Sequence, residues 1–471
     1  MKAILDFFTG TLNNIAWLYI FLPCVAVGGL LLTIRTGAVQ FRHFHYAMKN
    51  TVGRMFRKSE AGQGAVTPLQ AVTTALAATV GTGNIVGTSQ AIALGGYGAL
   101  FWMWIAALLG MVIKYSEVTL SIRYRQRDEK GDWVGGPMYY ITNGMGPKWK
   151  WLAAVFAVFA TLASFGIGNM AQVNSITGSI VDAAGTFFVL SDTGARAIAW
   201  GCGLVMAVLV VIILIGGIKR IGSVTEKLVP FMSILYIVFT LIVVFAHAGN
   251  IGHAFAQVFA AAFAPKAVMG AASGIALREA VVWGLRRSAF SNEAGLGSAA
   301  IAHAAADTPS PVHQGLYGIF EVFVDTIVIC SMTGLAIICS GVPVEWGVKP
   351  GSTLIMTAFS TVFGAKLSSL FVAISLALFA FSTVLGWALY GTRCMQYLFG
   401  TKVILGYQLL FAAVIVVGCV SPIDAVWDIA DTFNGLMAIP NFVALFALSG
   451  VVAKLTKDHF ADPANAIKAS N

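Results

Sequence analysis

The stretch Thr73–Gly98, TTALAATVGTGNIVGTSQAIALGGYG, decides how the rest of the chain is read. It begins and ends as an apolar helix of membrane-spanning character, and Gly81-Thr82-Gly83-Asn84 interrupts it. Glycine is a poor helix former, and two glycines around a threonine give helix a place to unwind. Unwound backbone at bilayer depth exposes N–H and C=O groups that survive only where protein, ion or ligand satisfies them. The break therefore reads as a binding site. It reads equally as a kink or a close helix crossing, since small residues also serve packing. The local pattern does not separate the two.

The composition sets the class. Of 471 residues, 58% are hydrophobic and 10% charged, with a mean hydropathy of +0.83. Soluble domains carry about 25% charge, so the chain is a polytopic, all-α membrane protein. Its six cysteines stand singly in apolar stretches, without C-x-x-C, and exclude a disulfide framework or zinc site. The opening MKAILDFFTGTLNN lacks the features of a cleaved secretory signal. The net charge of +9 lies mostly in loops between spans, so topology explains it and nucleic acid is not expected as a partner.

A span needs about 20 mostly apolar residues. Eleven are expected, near 13–34, 69–97, 99–122, 151–175, 196–216, 228–248, 254–285, 314–340, 367–391, 403–420 and 424–453. With the N-terminus outside, Lys2, Arg196, Lys266, Lys349 and Lys366 face outward and Lys114 lies within a span. The other 23 of the 29 basic residues then face the cytoplasm. The positive-inside rule thus predicts N-terminus out and C-terminus in. With 13–34 set aside as an extra helix, ten spans divide into five plus five. The first of each five is irregular: GTGN in one, Ala264-Pro265-Lys266 with Gly270 and Gly274 in the other. Matched interruptions in two halves point to an inverted repeat with its binding site at the breaks. The expected organisation is one domain over 1–471. It comprises a first repeat at 67–250, a second at 251–455 and a cytoplasmic tail at 456–471. Two non-spanning stretches remain on the cytoplasmic side, 133–146 (WVGGPMYYITNGMG) and 289–307 (AFSNEAGLGSAAIAHAAAD). Each reads either as a gating loop under the bundle or as a surface connection.

TALAATVGTGNIVG, GYGALFWMWIAALLGMVIKYSE, GGPMYYI and above all FSNEAGLGSAAIAHAAA together resemble the alanine or glycine:cation symporter family, in the same order across roughly 13–455. The resemblance implies a LeuT-type fold with one extra N-terminal helix. It further implies Na+-coupled uptake of alanine, glycine or serine across a bacterial inner membrane, with lipid as the other partner. Na+ is the coupling ion, no organic cofactor is expected, and the protein is expected to be a monomer or weak oligomer.

A small zwitterion needs N–H donors for its carboxylate, and the amides heading a half-helix at Gly81, Thr82, Gly83 and Asn84 supply them. Its ammonium needs acceptors, from freed carbonyls near Ala78 and Thr79 or in the 264–274 break. Gln172 can both donate and accept, and the resemblance places a glutamine here near the substrate; the alternative is a helix-joining hydrogen bond. Asn169 and Asn174 share its span. Sodium prefers oxygen ligands. The resemblance brings Ser382 and Thr383 to carbonyls at Ala77–Val80, whereas such hydroxyls otherwise bond back to their own helix. Trp387, one turn after Thr383, would cap the side-chain pocket. Among intramembrane charges, Lys114 and Glu117 are spaced to pair, and Glu321 and Asp325 to share a cation or proton. A proton at Glu321 or Asp325 would make the chain an H+-coupled permease instead. Asp424, Asp428 and Asp431 sit near a span end. No nucleophile–base pair, metal spacing or phosphate loop argues for an enzyme, and no pore-lining charged ring for a channel.

Overall fold

The computed structural model describes residues 7–55, 66–263, 277–308, 310–421 and 424–462, without the side chains of 52, 54, 55 and 424–428. Among them, nine helices are long and apolar enough to cross a membrane. These are α1 (Phe7–Arg35), α4 (Gly98–Tyr124), α5 (Pro147–Phe187), α6 (Asp192–Ile215), α7 (Gly217–Ala246), α11 (Pro311–Ser340), α12 (Thr353–Phe399), α13 (Thr401–Val420) and α14 (Ile429–Ala461). Helix α12 contains Gly364 at φ 72°, which divides a short leading helix from the long span expected at 367–391. The only strands among the described residues are β1 (Gln126–Arg127) and β2 (Trp133–Val134), an antiparallel pair after α4.

The stretch 68–95 is divided, which is why it is not among the nine. Helix α2 (Pro68–Thr79) starts on a reciprocal cap: the Thr67 hydroxyl accepts from the Gln70 amide, and the Gln70 side chain accepts from the Thr67 amide. It ends at Val80, whose ψ of 94° is extended. A π-turn at Gly83–Gly87 then leads into α3 (Thr88–Gly95).

The seventh segment differs from expectation. Ala264-Pro265-Lys266, Gly270 and Gly274 lie outside the described residues. The preceding helix α8 (Ile251–Phe263) lies against the start of α4, with Phe259 and Phe263 on Phe101 and Trp102 donating to the Ala262 carbonyl. The next described element is 277–303. Helix α9 (Leu277–Asn292) is followed by a break at Glu293 (φ 57°), Gly295 (φ 94°) and Gly297 (φ 79°), then by α10 (Ala299–His303). It follows α4 along its whole length: Ser288 bonds the Met103 carbonyl, Ser121 the Ala300 carbonyl and Arg125 the Ala304 carbonyl. FSNEAGLGSA is therefore neither surface connection nor gating loop; it is the second interruption, inside the bundle. Three arginines counted on the cytoplasmic side, Arg278, Arg286 and Arg287, belong to the half of this element nearer residue 7. That leaves twenty basic residues against eight, the same bias.

We call the end of the bundle holding residues 7–13 the N face and the opposite end the C face. The C face is sealed. Gly136 sits against Ile301, Tyr140 bonds Asn441, and Val66 pairs with Ala306, so 133–146 packs under the bundle as one of its two readings required. Arg125 and Arg127 lie over the Trp133 ring at 4.2 and 4.1 Å, pinning the hairpin.

Candidate substrate and cation site

Helix α12 reaches the first break because Gly386 packs on α2; a Cβ there would stand 2.5 Å from the Ala78 Cβ. That approach sets two hydroxyls on freed carbonyls. Ser382 Oγ lies 3.1 Å from the Ala77 carbonyl oxygen, and Thr383 Oγ1 lies 3.5 Å from that of Val80. Each also bonds back to the Phe379 carbonyl, at 2.8 and 3.1 Å. Each hydroxyl thus lies on a carbonyl of α2 and on one of its own helix. The group is almost fully buried and mostly oxygen, with the Met232 sulfur 3.6 Å from Ser382 Oγ; its hydroxyls and carbonyls suit a hard monovalent cation.

Around the break itself the polar groups largely satisfy one another. Asn84 Oδ1 accepts from the Gly81 amide at 2.8 Å, and Gln172 Oε1 from the Thr82 amide at 3.4 Å. The donors expected for a carboxylate thus carry side-chain oxygens that a ligand oxygen would replace. Thr82 Oγ1 is buried with no hydrogen-bond partner among the described residues. Gln172 also donates to the Ile167 carbonyl across the π-turn Gly166–Met170. Thr79 spends its hydroxyl on the Ala75 and Leu76 carbonyls of its own helix.

The two breaks adjoin. A Cβ on Gly83 would lie 3.1 Å from the Ser291 Cα, so this glycine lets the two backbones meet. Asn84 Nδ2 donates to Asp325 Oδ1 at 2.7 Å, and Ser291 donates to the same oxygen at 3.1 Å. Trp387 packs on Gly168 and faces Glu293 of the second break, with its ring 5.6 Å from that of Tyr390. A cavity of about 610 Å³ opens from the N face, between Asn13, Asp182, Lys349 and Asp431, and runs down to Val86 and Phe290. Phe290 also covers Gly83, so the cavity stops one residue layer short of the first break.

The remaining expectations divide. Asn169 and Asn174 donate to the carbonyls of Phe411 and Gly418 and join helices. Lys114 pairs with Glu321 at 3.3 Å and not with Glu117, because Glu117 Oε1 is taken by the amides of Gly295 and Gly297 and by Asn441. Glu321 and Asp325 share nothing; one turns to Lys114 and His303, the other to Asn84 and Ser291. Asp431 binds Arg286, whose side chain also reaches Asn13, while the Asp424 and Asp428 side chains lie outside the described residues. Sequence reading missed Ser291, Asn292 and Glu293 as site-lining. The signal was present in Glu-Ala-Gly-Leu-Gly: a lone acid and two glycines between helical runs.

A family model described as "Sodium:alanine symporter family" matches residues 1–470. The sodium/alanine symporter AgcS of Methanococcus maripaludis is 41% identical over 449 residues, covering 95% of each chain. A Bacillus subtilis protein named "Probable sodium/glutamine symporter GlnT" is 36% identical over 463 residues, covering 98% of this chain and 91% of that one. Among solved structures, MhsT in complex with L-phenylalanine superposes with a TM-score of 0.56 at 14% identity, covering 84% of this chain and 99% of MhsT. That likeness is one of fold.

Proposed function

The chain belongs to the sodium:alanine symporter family, and on that premise we propose that it is a Na+-coupled importer of small neutral amino acids, alanine and glycine first. The family and its named relatives are transporters, and the chain is no enzyme. In this reading eleven spans form an extra helix plus a five-and-five inverted repeat, 67–250 and a second half starting at 277. The N face is the outside of a bacterial inner membrane, and the C-terminus is cytoplasmic.

The observation that carries the reading is the meeting of Ser382 and Thr383 with the Ala77 and Val80 carbonyls at the end of α2. Na+ binds there as cargo once both hydroxyls turn their hydrogens away, and it fixes the end of the helix. Gly81, Thr82, Gly83 and Asn84 then receive the carboxylate, beginning one residue further on. The carboxylate oxygens take the places of Asn84 Oδ1 and Gln172 Oε1 on the Gly81 and Thr82 amides. Thr82 Oγ1, buried and unengaged, adds a donor. Gln172, once released, and the carbonyls at Ala78 and Thr79 accept from the ammonium. Trp387 and Phe290 bound the volume left for the side chain, which favours a methyl or hydrogen. Phe290 closes the vestibule, and the sealed C face opens afterwards, giving alternating access.

Binding tests the ligand set without requiring transport. Alanine should raise the melting temperature of the purified protein only when Na+ is present, and glutamine should do so weakly or not at all. Equal stabilisation by glutamine would replace the small-side-chain reading with the one that the GlnT relative's name suggests. Stabilisation by alanine independent of Na+ would remove the ion from the site.

A further inference from the structure

Between the second break and the C face lies a group of ionisable side chains, Glu293 of the break among them, to which the proposed function assigns no contact with substrate or ion. Lys114, Glu117, Glu293, His303 and Glu321 are each 0–2% exposed. Lys114 meets Glu321 Oε1 at 3.3 Å and is also within electrostatic reach of Glu117 and Glu293. His303 Nε2 meets the other Glu321 oxygen at 3.1 Å. One ammonium thus faces three carboxyl groups in the interior of a membrane protein, where uncompensated charge is costly. Protons on the carboxyls or a further positive charge would balance it.

The imidazole of His303, set between Glu321 and Gln314, is one place for such a charge. His303 Nδ1 lies 2.9 Å from the Gln314 side-chain nitrogen, while Gln314 Oε1 is buried with no hydrogen-bond partner among the described residues. The two ends of an amide are interchangeable in shape. Turned over, Gln314 presents Oε1 to Nδ1, and Nδ1 then carries a hydrogen. As it stands a neutral ring satisfies both contacts, Nε2–H donating to Glu321 and Nδ1 accepting from Gln314; with the amide turned, the same two partners hold a ring that carries a second proton. A proton adds no volume, whereas a metal ion here would have to displace packed side chains beside an ammonium.

We propose that His303, with Glu321 and Gln314, is a proton-binding site that senses the pH on the C-face side and holds that end of the transporter closed. His303 is the last residue of α10, whereas Glu321 and Gln314 both stand on α11. Opening the C face moves α10 off the contacts that Arg125 makes to the Ala304 and Ala306 carbonyls and parts the imidazole from both partners. The closed state therefore holds the proton more tightly than the open one, and by linkage the proton favours the closed state. The charged and titratable groups facing the site are Lys114 and Glu117 on α4, Glu293 in the break, Glu321 on α11 and Tyr390 on α12, with Asp325 beyond Glu321. None of them lines the N-face vestibule; the proton exchanges with the C-face side when that face opens, and is a brake, not a driving ion.

The test uses full-length protein in liposomes, a fixed inward Na+ gradient and a fixed external pH. Internal pH is stepped from about 8 to about 6, the range over which an imidazole gains charge. Initial uptake of labelled alanine should fall by about fivefold or more, the lower end of ordinary coupling between sites. His303→Gln should keep Na+-dependent uptake and lose that fall. Gln314→Leu, which removes the whole amide beside Nδ1, should need a more acidic interior for the same fall. A flat wild-type response overturns the proposal, and so does an unaltered response in either variant, because His43, His45, His313 and His459 also lie towards the C face. A second readout needs no transport: amide exchange of residues 299–308 in the wild-type protein, corrected for intrinsic chemistry. Protection should rise on acidification. Unchanged protection would sink the proposal even if the variants fail to fold, and would leave the transport reading intact.

Discussion

Ser382→Ala separates an ion ligand from a packing residue. The Ser382 hydroxyl is fully buried and has two oxygens in reach, Ala77 O at 3.1 Å across to α2 and Phe379 O at 2.8 Å on its own helix. Without the hydroxyl, Ala77 O loses this partner across the helix interface, a structural cost of about 1 kcal/mol. If Na+ sits among these oxygens, the variant also loses a contact to a charged group, worth about 1.5–3 kcal/mol. That corresponds to roughly 10- to 150-fold in the Na+ concentration for half-maximal uptake, at about 1.4 kcal/mol per factor of ten. The assay is initial alanine uptake by proteoliposomes against external Na+, with choline keeping ionic strength constant. Thr383→Ser retains its hydroxyl and should stay near wild type, whereas Thr383→Ala should shift in the same direction as Ser382→Ala. A lower maximal rate with an unchanged Na+ requirement would refute the reasoning and leave both hydroxyls as helix glue.

Four further outcomes are expected. Gly386→Ala places a methyl 2.5 Å from the Ala78 Cβ and 2.9 Å from its Cα; overpacking of this kind costs about 1–3 kcal/mol, so both melting temperature and uptake should fall. Lys114→Met leaves Glu321 buried without its ammonium, a loss of about 3–5 kcal/mol in thermal stability that Glu321→Gln in the same chain should partly restore. Glu117→Ala strands the amides of Gly295 and Gly297 at about 1–3 kcal/mol each, and proteolysis near the second break should quicken. Tyr140→Phe removes the hydrogen bond to Asn441 that ties the 133–146 segment to α14, worth about 1 kcal/mol. A cysteine at Ile301, beneath Gly136, should then be labelled faster from the C face.

The fold was legible where one physical signal was strong and local. Apolar length located most spans, and Gly81-Thr82-Gly83-Asn84 announced its own unwinding because two weak helix formers stand in a helical run. The interruption within 277–303 was not singled out, for a physical reason. A proline with nearby glycines at 264–274 is the stronger local breaker, whereas FSNEAGLGSA unwinds through contacts distant in sequence. Glu117 on α4 accepts two amides of the break, and Asn441 on α14 accepts none but donates to the Gly295 carbonyl. Such partners are invisible to a reading that moves along one chain. The same limit applies to the charges. Spacing alone put Lys114 with Glu117, while packing gives it to Glu321 from a helix some two hundred residues later. The approach of Ser382 and Thr383 to the Ala77 and Val80 carbonyls came from the resemblance, which supplied the long-range pairing that spacing lacks.

Uphill accumulation tests the central claim most directly. Liposomes containing the purified protein, with equal alanine on both sides and Na+ high outside only, should concentrate labelled alanine inside, and the gain should vanish when the Na+ gradient is collapsed with an ionophore. Accumulation driven by a pH gradient without Na+, or equilibration that never exceeds the outside concentration, would contradict it.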